Sequence, residues 1–403
     1  MMKRIIALVL CICCLVIQFG CSVPEEYRYI NPTESCPWEP TDSPEEEATT
    51  PPADNSTDPA PTTTEAPRLS ARQLAEKMEL EDLVAQLFLV KCPPDGAEKL
   101  LREYHVGGII LDETDLNGST PDSLAQKLTS WQEFSPIPLI IAVSEEGGNE
   151  VCLSSREAFR SKRFDAPRSI YYDGGLYAIR ETEAEKAQLL KRCGINVNLA
   201  PVCDVPSLED ATMASRSLFQ TPKTTGKVVA AMVKTMQKNG VGAVLKHFPG
   251  YGDITEDTRD GKVVDTRDKD RFQEYDFIPF QYGIQAGAGA IIVSHVTATK
   301  LDEQDPIDPA SLSTEVHWIL RRELGFQGVI LTDDLQMRAI ASHYAPETAA
   351  VKAIQCGNDM IITGWSEEVY DAICSAVGIT ISEEQLIESV TRIIQWKMDL
   401  GLM

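Results

Sequence analysis

Eight short apolar runs, separated by longer amphipathic stretches, leave this chain few folds to choose from. They are Gln86–Val90, Val106–Leu111, Pro138–Val143, Ile195–Ala200, Val241–His247, Gly289–His295, Gly328–Asp333 and Asn358–Thr363. Each is rich in Val and Ile and apolar without strict alternation. A strand with one wet face alternates polar and apolar, whereas a continuous run marks a strand buried on both faces, as in a parallel sheet. The stretches between, such as 224–239 and 312–324, carry helical periodicity, and another helix opens at Ser70. Eight strand–helix alternations between residues 69 and 403 predict an α/β domain, a (β/α)8 TIM-like barrel. An open doubly wound sheet is the alternative. Its nucleotide-binding form lacks its motif, since no run is followed by GxGxxG or a Walker loop.

In a barrel the chemistry gathers at the C-terminal ends of the strands. Here those ends are polar and the N-terminal ends carry mainly glycine and small residues. The third run ends in Ser144-Glu145-Glu146-Gly147-Gly148, and the fourth leads to Pro201 and Asp204. The fifth ends in Lys246-His247, the sixth in Ser294-His295, the seventh in Thr332-Asp333-Asp334 and the eighth in Thr363-Gly364-Trp365. A carboxylate at Asp333 is placed to attack a sugar C1 or to stabilise an oxocarbenium ion, while Asp334 suits a helix cap. Lys246 and His247 can hold sugar hydroxyls. The following loop offers Asp253, Glu256, Asp257 and Asp260 as general acids, or simply as a solvated acidic surface. Arg216 can clamp a ligand oxygen, or be a surface residue.

Net charge is −24, with no basic run beyond the extreme N-terminus, which argues against a nucleic-acid partner. Of eleven cysteines, Cys11, Cys13, Cys14, Cys21 and Cys36 precede the barrel. The other six are scattered, with no CxxC pair and no histidine at metal spacing, so neither a zinc site nor a disulfide framework is expected. Residues 1–21 read as a secretory signal, with Lys3 and Arg4 ahead of an apolar stretch from Ile5 to Phe19. Gly20-Cys21-Ser22 resembles a bacterial lipoprotein processing site, so an extracytoplasmic, membrane-anchored protein lipidated at Cys21 is expected, with plain secretion as the alternative. Residues 22–68 form a Pro/Thr/acidic linker. From Pro40 to Pro67 there is no Lys, no Arg and no large apolar residue. Such a segment buries too little apolar surface to offset the entropy of ordering, so a disordered stalk is expected.

Lys246-His-Phe-Pro-Gly-Tyr-Gly-Asp253 resembles the KHFPGHGD motif of glycoside hydrolase family 3. Ser294-His-Val, the stretch from Asp305 to Ser313, Leu324 to Met337 and Ala353 to Met360 follow that family's order and spacing. Val106 to Leu111 and Ile141 to Gly148 do so as well. The similarity runs from Ser70 to Met403, and a chain ending after one barrel looks like the family's β-N-acetylhexosaminidases. The resemblance implies retaining hydrolysis of terminal β-linked N-acetylhexosamine, from cell-wall or glycan fragments, through a covalent glycosyl-enzyme. On it, Asp333 is the nucleophile, and Lys246, His247, Arg216, Glu146 and His295 match substrate-binding positions. It implies a carbohydrate partner, no metal or organic cofactor, and a monomer.

The sequence departs from that family at the proton donor. Where the family has Asp-Ser-His, this chain has Asp257-Thr258-Arg259. Arginine keeps its proton at any working pH and cannot pass one to a leaving group. Tyr251 replaces the His of HGD, Ser144 a sugar-binding Asp, and Asn149 an Arg. Three readings stand: a glycosidase using another acid such as Asp257 or Glu256, a catalytically weakened barrel that binds glycan or peptidoglycan at the cell surface, and a partner-binding protein with a vestigial pocket.

Overall fold

The computed structural model describes residues 69–403. The signal segment expected over 1–21 and the linker over 22–68 lie outside the described residues. Among the described residues ten strands occur: β1 (Phe88–Lys91), β2 (Gly108–Ile110), β3 (Ile140–Val143), β4 (Val197–Asn198), β5 (Gly242–Phe248), β6 (Val263–Asp265), β7 (Ala290–Val293), β8 (Val296–Ala298), β9 (Val329–Asp334) and β10 (Met360–Thr363). Eight of them close into one barrel in the order β1-β2-β3-β4-β5-β7-β9-β10, with β10 pairing back onto β1. Every pairing is parallel. Phe88 opposite Ile361 and Leu89 opposite Ile362 close the ring, which excludes the open sheet.

The eight barrel strands fall on the eight apolar runs, trimmed at their starts, with β1, β5 and β9 reaching one residue past the end of theirs. Ile140–Val143 and Met360–Thr363 are buried throughout, which is why these runs could not alternate. Each fully buried Val or Ile contributes roughly 1.5–3 kcal/mol. Glycine at the strand starts answers to crowding: a Cβ on Gly328 would lie 2.4 Å from the Gly289 carbonyl oxygen. β6 and β8 were not anticipated. They form a small parallel pair at the mouth, built from the segments that follow β5 and β7.

Helices wrap the outside. Ser70 caps the helix Ala71–Ala75 through a reciprocal capping box with Gln73. Pro222–Lys238 has Pro at its start and Thr221 accepting from the Thr224 N–H. Its buried face includes Val228, Val229, Met232, Val233 and Met236. The stretch expected to be one helix over 312–324 is broken instead: a short 3-10 turn, the helix Thr314–Trp318 and a widened π turn, Ile319–Glu323. Gln86, expected to open β1, ends the helix Leu80–Gln86, and its amide donates to the His105 carbonyl at 2.6 Å. Among the described residues, no helix is long and apolar enough to cross a membrane. The six described cysteines are free thiols, four of them buried.

Candidate active site

The mouth is built around a buried carboxylate. Glu146 leaves β3 on a Gly147-Gly148 turn in which both glycines have positive φ, 111° and 66°. A Cβ on Gly147 would lie 2.3 Å from the Asp165 carbonyl oxygen, so only glycine fits that approach. Glu146 is 2% exposed. Arg216 donates to it through Nε at 3.0 Å and Nη2 at 2.6 Å. Lys246 Nζ, at the end of β5, reaches the same carboxylate at 2.6 Å. Burial alone would raise the Glu146 carboxyl; the Lys246 and Arg216 charges outweigh it and hold the group well below the usual carboxylate range. Arg216 is therefore part of the mouth and not a surface residue.

The neighbouring Glu145 has a different task. It is fully buried and accepts the N–H groups of Cys152 at 2.9 Å and Leu153 at 2.7 Å, together with the Ser154 hydroxyl. It ties the β3 loop to a short helical turn and takes no part in the mouth.

His247 is oriented from both sides. Its Nδ1 donates to Asp204 at 2.8 Å, which leaves Nε2 to accept from Arg216 Nη2 at 3.3 Å. The other Asp204 oxygen accepts the Tyr251 N–H at 2.8 Å. Asp204 stood at a strand end in the sequence, but nothing local marked it as the partner of a histidine 43 residues later. Tyr251 packs edge-on against His247 at 5.6 Å and its hydroxyl lies 2.6 Å from Thr258 Oγ1. Burial, and then the Asp333 charge, push its phenol well above the ordinary tyrosine value.

Asp333 closes β9 half-buried at the mouth. Its charge acts on both Tyr251 and His295. Asp334 does not cap a helix. It accepts the Gln336 N–H at 2.9 Å and pairs with Lys91, at the end of β1, at 2.9 Å, while the helix Arg338–Ala341 starts without a side-chain cap. Lys91 is a mouth residue that sequence reasoning missed, because a lone lysine after an apolar run carries no signal.

Two expected roles do not fit the geometry. His295 is fully buried, with Nδ1 on Ser311 Oγ at 2.7 Å and Nε2 on the Asp334 carbonyl at 2.9 Å. Both ring nitrogens bond inside the protein and, unlike His247 at 5%, the ring has no exposed surface at all, so His295 braces the end of β9 and does not meet a sugar. Asp257 was a candidate acid. Arg259 holds it through its backbone N–H at 2.8 Å, its Nε at 2.9 Å and its Nη2 at 2.6 Å. Burial pushes the Asp257 carboxyl up, but the Arg259 contacts outweigh it and keep the carboxyl below its usual range. A carboxylate held ionised is no proton donor at neutral pH. Asp253 is likewise engaged, accepting from Ser207 and from the Leu208 N–H, and Glu256 points into solvent. No group of three or more potential metal ligands occurs among the described residues.

The chain is similar to known proteins in sequence and in fold. The family model "Glycosyl hydrolase family 3 N terminal domain" matches residues 79–396. "Beta-hexosaminidase A" of Pseudoalteromonas piscicida is 29% identical over 377 residues, covering 84% of this chain and 62% of its own length. "Beta-hexosaminidase" of Stenotrophomonas maltophilia is 30% identical over 302 residues, covering 72% of this chain and 86% of its own. The structure of a glycoside hydrolase family 3 β-N-acetylglucosaminidase from Paenibacillus sp. superposes with a TM-score of 0.75 at 29% identity, covering 81% of this chain and 63% of that one. This chain thus spans less than two thirds of the Pseudoalteromonas and Paenibacillus proteins. The family match runs through the barrel from residue 79 to residue 396, and the chain belongs to glycosyl hydrolase family 3.

Proposed function

We propose that the protein hydrolyses terminal β-linked N-acetylhexosamine by a retaining route in which Asp333 attacks the sugar C1. The observation that supports this is the mouth itself: a half-buried aspartate at the end of β9, on the same end of the barrel as a Glu146–Arg216–Lys246–His247 network whose members are already paired with one another. A pre-paired network does not have to reorganise when a sugar arrives. Lys246, Arg216 and His247 line the position for sugar hydroxyls, with Glu146 fixing the two cations and Asp204 fixing the imidazole.

The proton is the weak point of this site. Arg259 stands where the dyad histidine would be, and it neutralises Asp257. Formation of the glycosyl-enzyme then depends on the acidity of the leaving group. The protein should turn over a dinitrophenyl β-N-acetylglucosaminide readily and a poorer phenyl glycoside about 10²- to 10⁴-fold more slowly. Equal rates on both would mean that a working acid exists. Turnover of neither, with Asp333→Asn unchanged from wild type, would overturn the glycosidase reading in favour of glycan binding.

We also propose export and lipid anchorage at Cys21, supported by Lys3, Arg4 and the apolar stretch before Gly20-Cys21. Metabolic labelling with a fatty acid should mark the wild type and not Cys21→Ala. The working unit is taken as a monomer, which light scattering on the purified protein would check.

A further inference from the structure

Two groups hold the turn that follows β5. Asp204 takes the His247 imidazole and the Tyr251 N–H. The other is Arg267, which the hydrolysis of a sugar does not use directly. Its Nη2 donates to the Gly250 carbonyl at 2.9 Å, and the Gly250 N–H closes the turn onto the His247 carbonyl at 2.8 Å. The fit is close: a Cβ on Gly252, where φ is +54°, would lie 2.2 Å from Arg267 Nη1. Any movement of Arg267 is therefore felt by the turn that carries His247.

Arg267 is itself fixed. Asp265, the last residue of β6, accepts from its backbone N–H at 2.9 Å, its Nε at 2.8 Å and its Nη2 at 2.6 Å. Nη1 reaches Asp276 Oδ2 at 2.8 Å, and the guanidinium lies 4.5 Å from the Phe272 ring centre. The β6–β8 pair stands outside the barrel ring, and carrying Arg267 to the turn gives it a purpose. Asp276 is the less complete partner. It is 1% exposed, its Oδ1 has no hydrogen-bond partner among the described residues, and a Cβ on Gly250 would lie 3.0 Å from that oxygen. An anionic oxygen buried without a donor is costly, so this carboxyl is the member of the brace that can take up a proton. Burial pushes it up to about 6, against the charges of Arg267 and Arg271 and with that of Asp265. Those are the charged groups that face it, Arg267 and Asp265 from the β6 side and Arg271 from its own helical stretch; Asp253, further along the turn, faces Arg271.

We propose that Arg267 is a positioning residue for His247 and that Asp276 controls it: the ionised carboxylate keeps Arg267 against the Gly250 carbonyl, and the protonated one lets the turn loosen. The proton goes to Oδ1, and the ion pair at Oδ2 becomes a neutral hydrogen bond. The hold on a sugar then weakens below about pH 6 through a group that the sugar does not touch.

The test is hydrogen exchange, read by mass spectrometry over a peptide containing residues 248–256, at pH 5 and pH 7 with the intrinsic pH dependence removed. The constants kcat and KM for a dinitrophenyl β-N-acetylglucosaminide are measured alongside. The wild type should lose protection in this peptide at pH 5, and its KM should rise about 10-fold while kcat changes less. Asp276→Asn, a neutral isostere of the protonated form, should show the acid behaviour at both pH values. Arg267→Lys, which keeps the charge but not the fork, should be loose at both as well. The wild-type comparison needs no variant, so it decides even where a variant folds poorly. Only the kinetic arm rests on the glycosidase reading; if no glycoside is turned over, that reading falls and the exchange arm decides the brace by itself. Equal protection of the wild type at both pH values, or a wild-type difference that survives in Asp276→Asn, would overturn the proposal. Looser exchange with an unchanged KM would overturn it too, because the brace would then support the fold without positioning His247.

Discussion

The two ends of this barrel each bury a carboxylate among cations, yet they serve different purposes. At the mouth, Glu146 takes Arg216 and Lys246, and the network ends on His247, with Asp333 half-buried at the end of β9. At the base, Asp359 sits just before β10, fully buried. It accepts from Arg392 Nη1 at 3.0 Å, Ser389 Oγ at 2.9 Å, the Ile330 N–H at 2.8 Å and Arg321. Every lone pair of Asp359 is used by protein. Burying charges costs desolvation that pairing only offsets, so neither network is strong evidence of stability. What separates them is the unfinished edge. A network closed on itself holds strands together, and one that stops at a half-buried aspartate can hold a substrate.

That contrast can be broken in four ways. Asp333→Asn should lower turnover at least ~10³-fold while moving the unfolding midpoint little, since Asp333 bonds only the neighbouring Asp334 N–H. Steady-state kinetics and thermal unfolding of the same preparation check both halves. Asp359→Ala should do the reverse. It strands two arginines and a buried N–H and should cost about 3–5 kcal/mol by denaturant titration, with the Michaelis constant unchanged in the protein that remains folded. A loss of activity without a loss of stability would erase the distinction between the ends.

Arg259→His should raise turnover of the poor phenyl glycoside by about 10-fold or more and leave the dinitrophenyl glycoside nearly unchanged, because only the first needs a proton. An equal rise on both would mean that Arg259 hinders binding and not proton transfer. The last concerns Lys397 at the base, where activity is not expected to change. Its amine is fully buried, bonded to Gln86 Oε1 at 2.7 Å, and burial pushes it down to about 7. The unfolded chain keeps that proton up to about pH 10.4. Between those two values the unfolded state holds more protons than the folded one, so stability rises with pH across the window and is flat with respect to this group below it. Lys397→Met should remove a slope of up to ~1.4 kcal/mol per pH unit between pH 7 and 10. An unchanged slope would show that the lysine is charged and paired in the fold.

Much of this was legible in the sequence, and the limits have physical causes. The strands could be read because a parallel barrel buries both faces, so Ile140–Val143 and Met360–Thr363 appear as unbroken apolar runs. The mouth could be located because polar residues follow each run. Pairing could not be read. That Asp204 orients His247, that Lys91 holds Asp334, and that Glu145 and Glu146 point to different tasks all depend on which strands become neighbours. The Asp257–Arg259 pair spans only two residues, yet its consequence emerged only from geometry: an acid proposed from its position is tied to the cation that replaced its partner.

The most direct test of the account is to trap the sugar on the protein. With a live Asp333 and no acid/base partner, a dinitrophenyl β-N-acetylglucosaminide should load the enzyme faster than water releases it, because release needs a base at the same position. Intact mass spectrometry of the wild type should then show one N-acetylhexosaminyl group, mapped by peptide digestion to Asp333 and absent in Asp333→Asn. An adduct that persists in Asp333→Asn, or dinitrophenol released with inverted sugar and no adduct, would contradict the assignment of Asp333 as nucleophile.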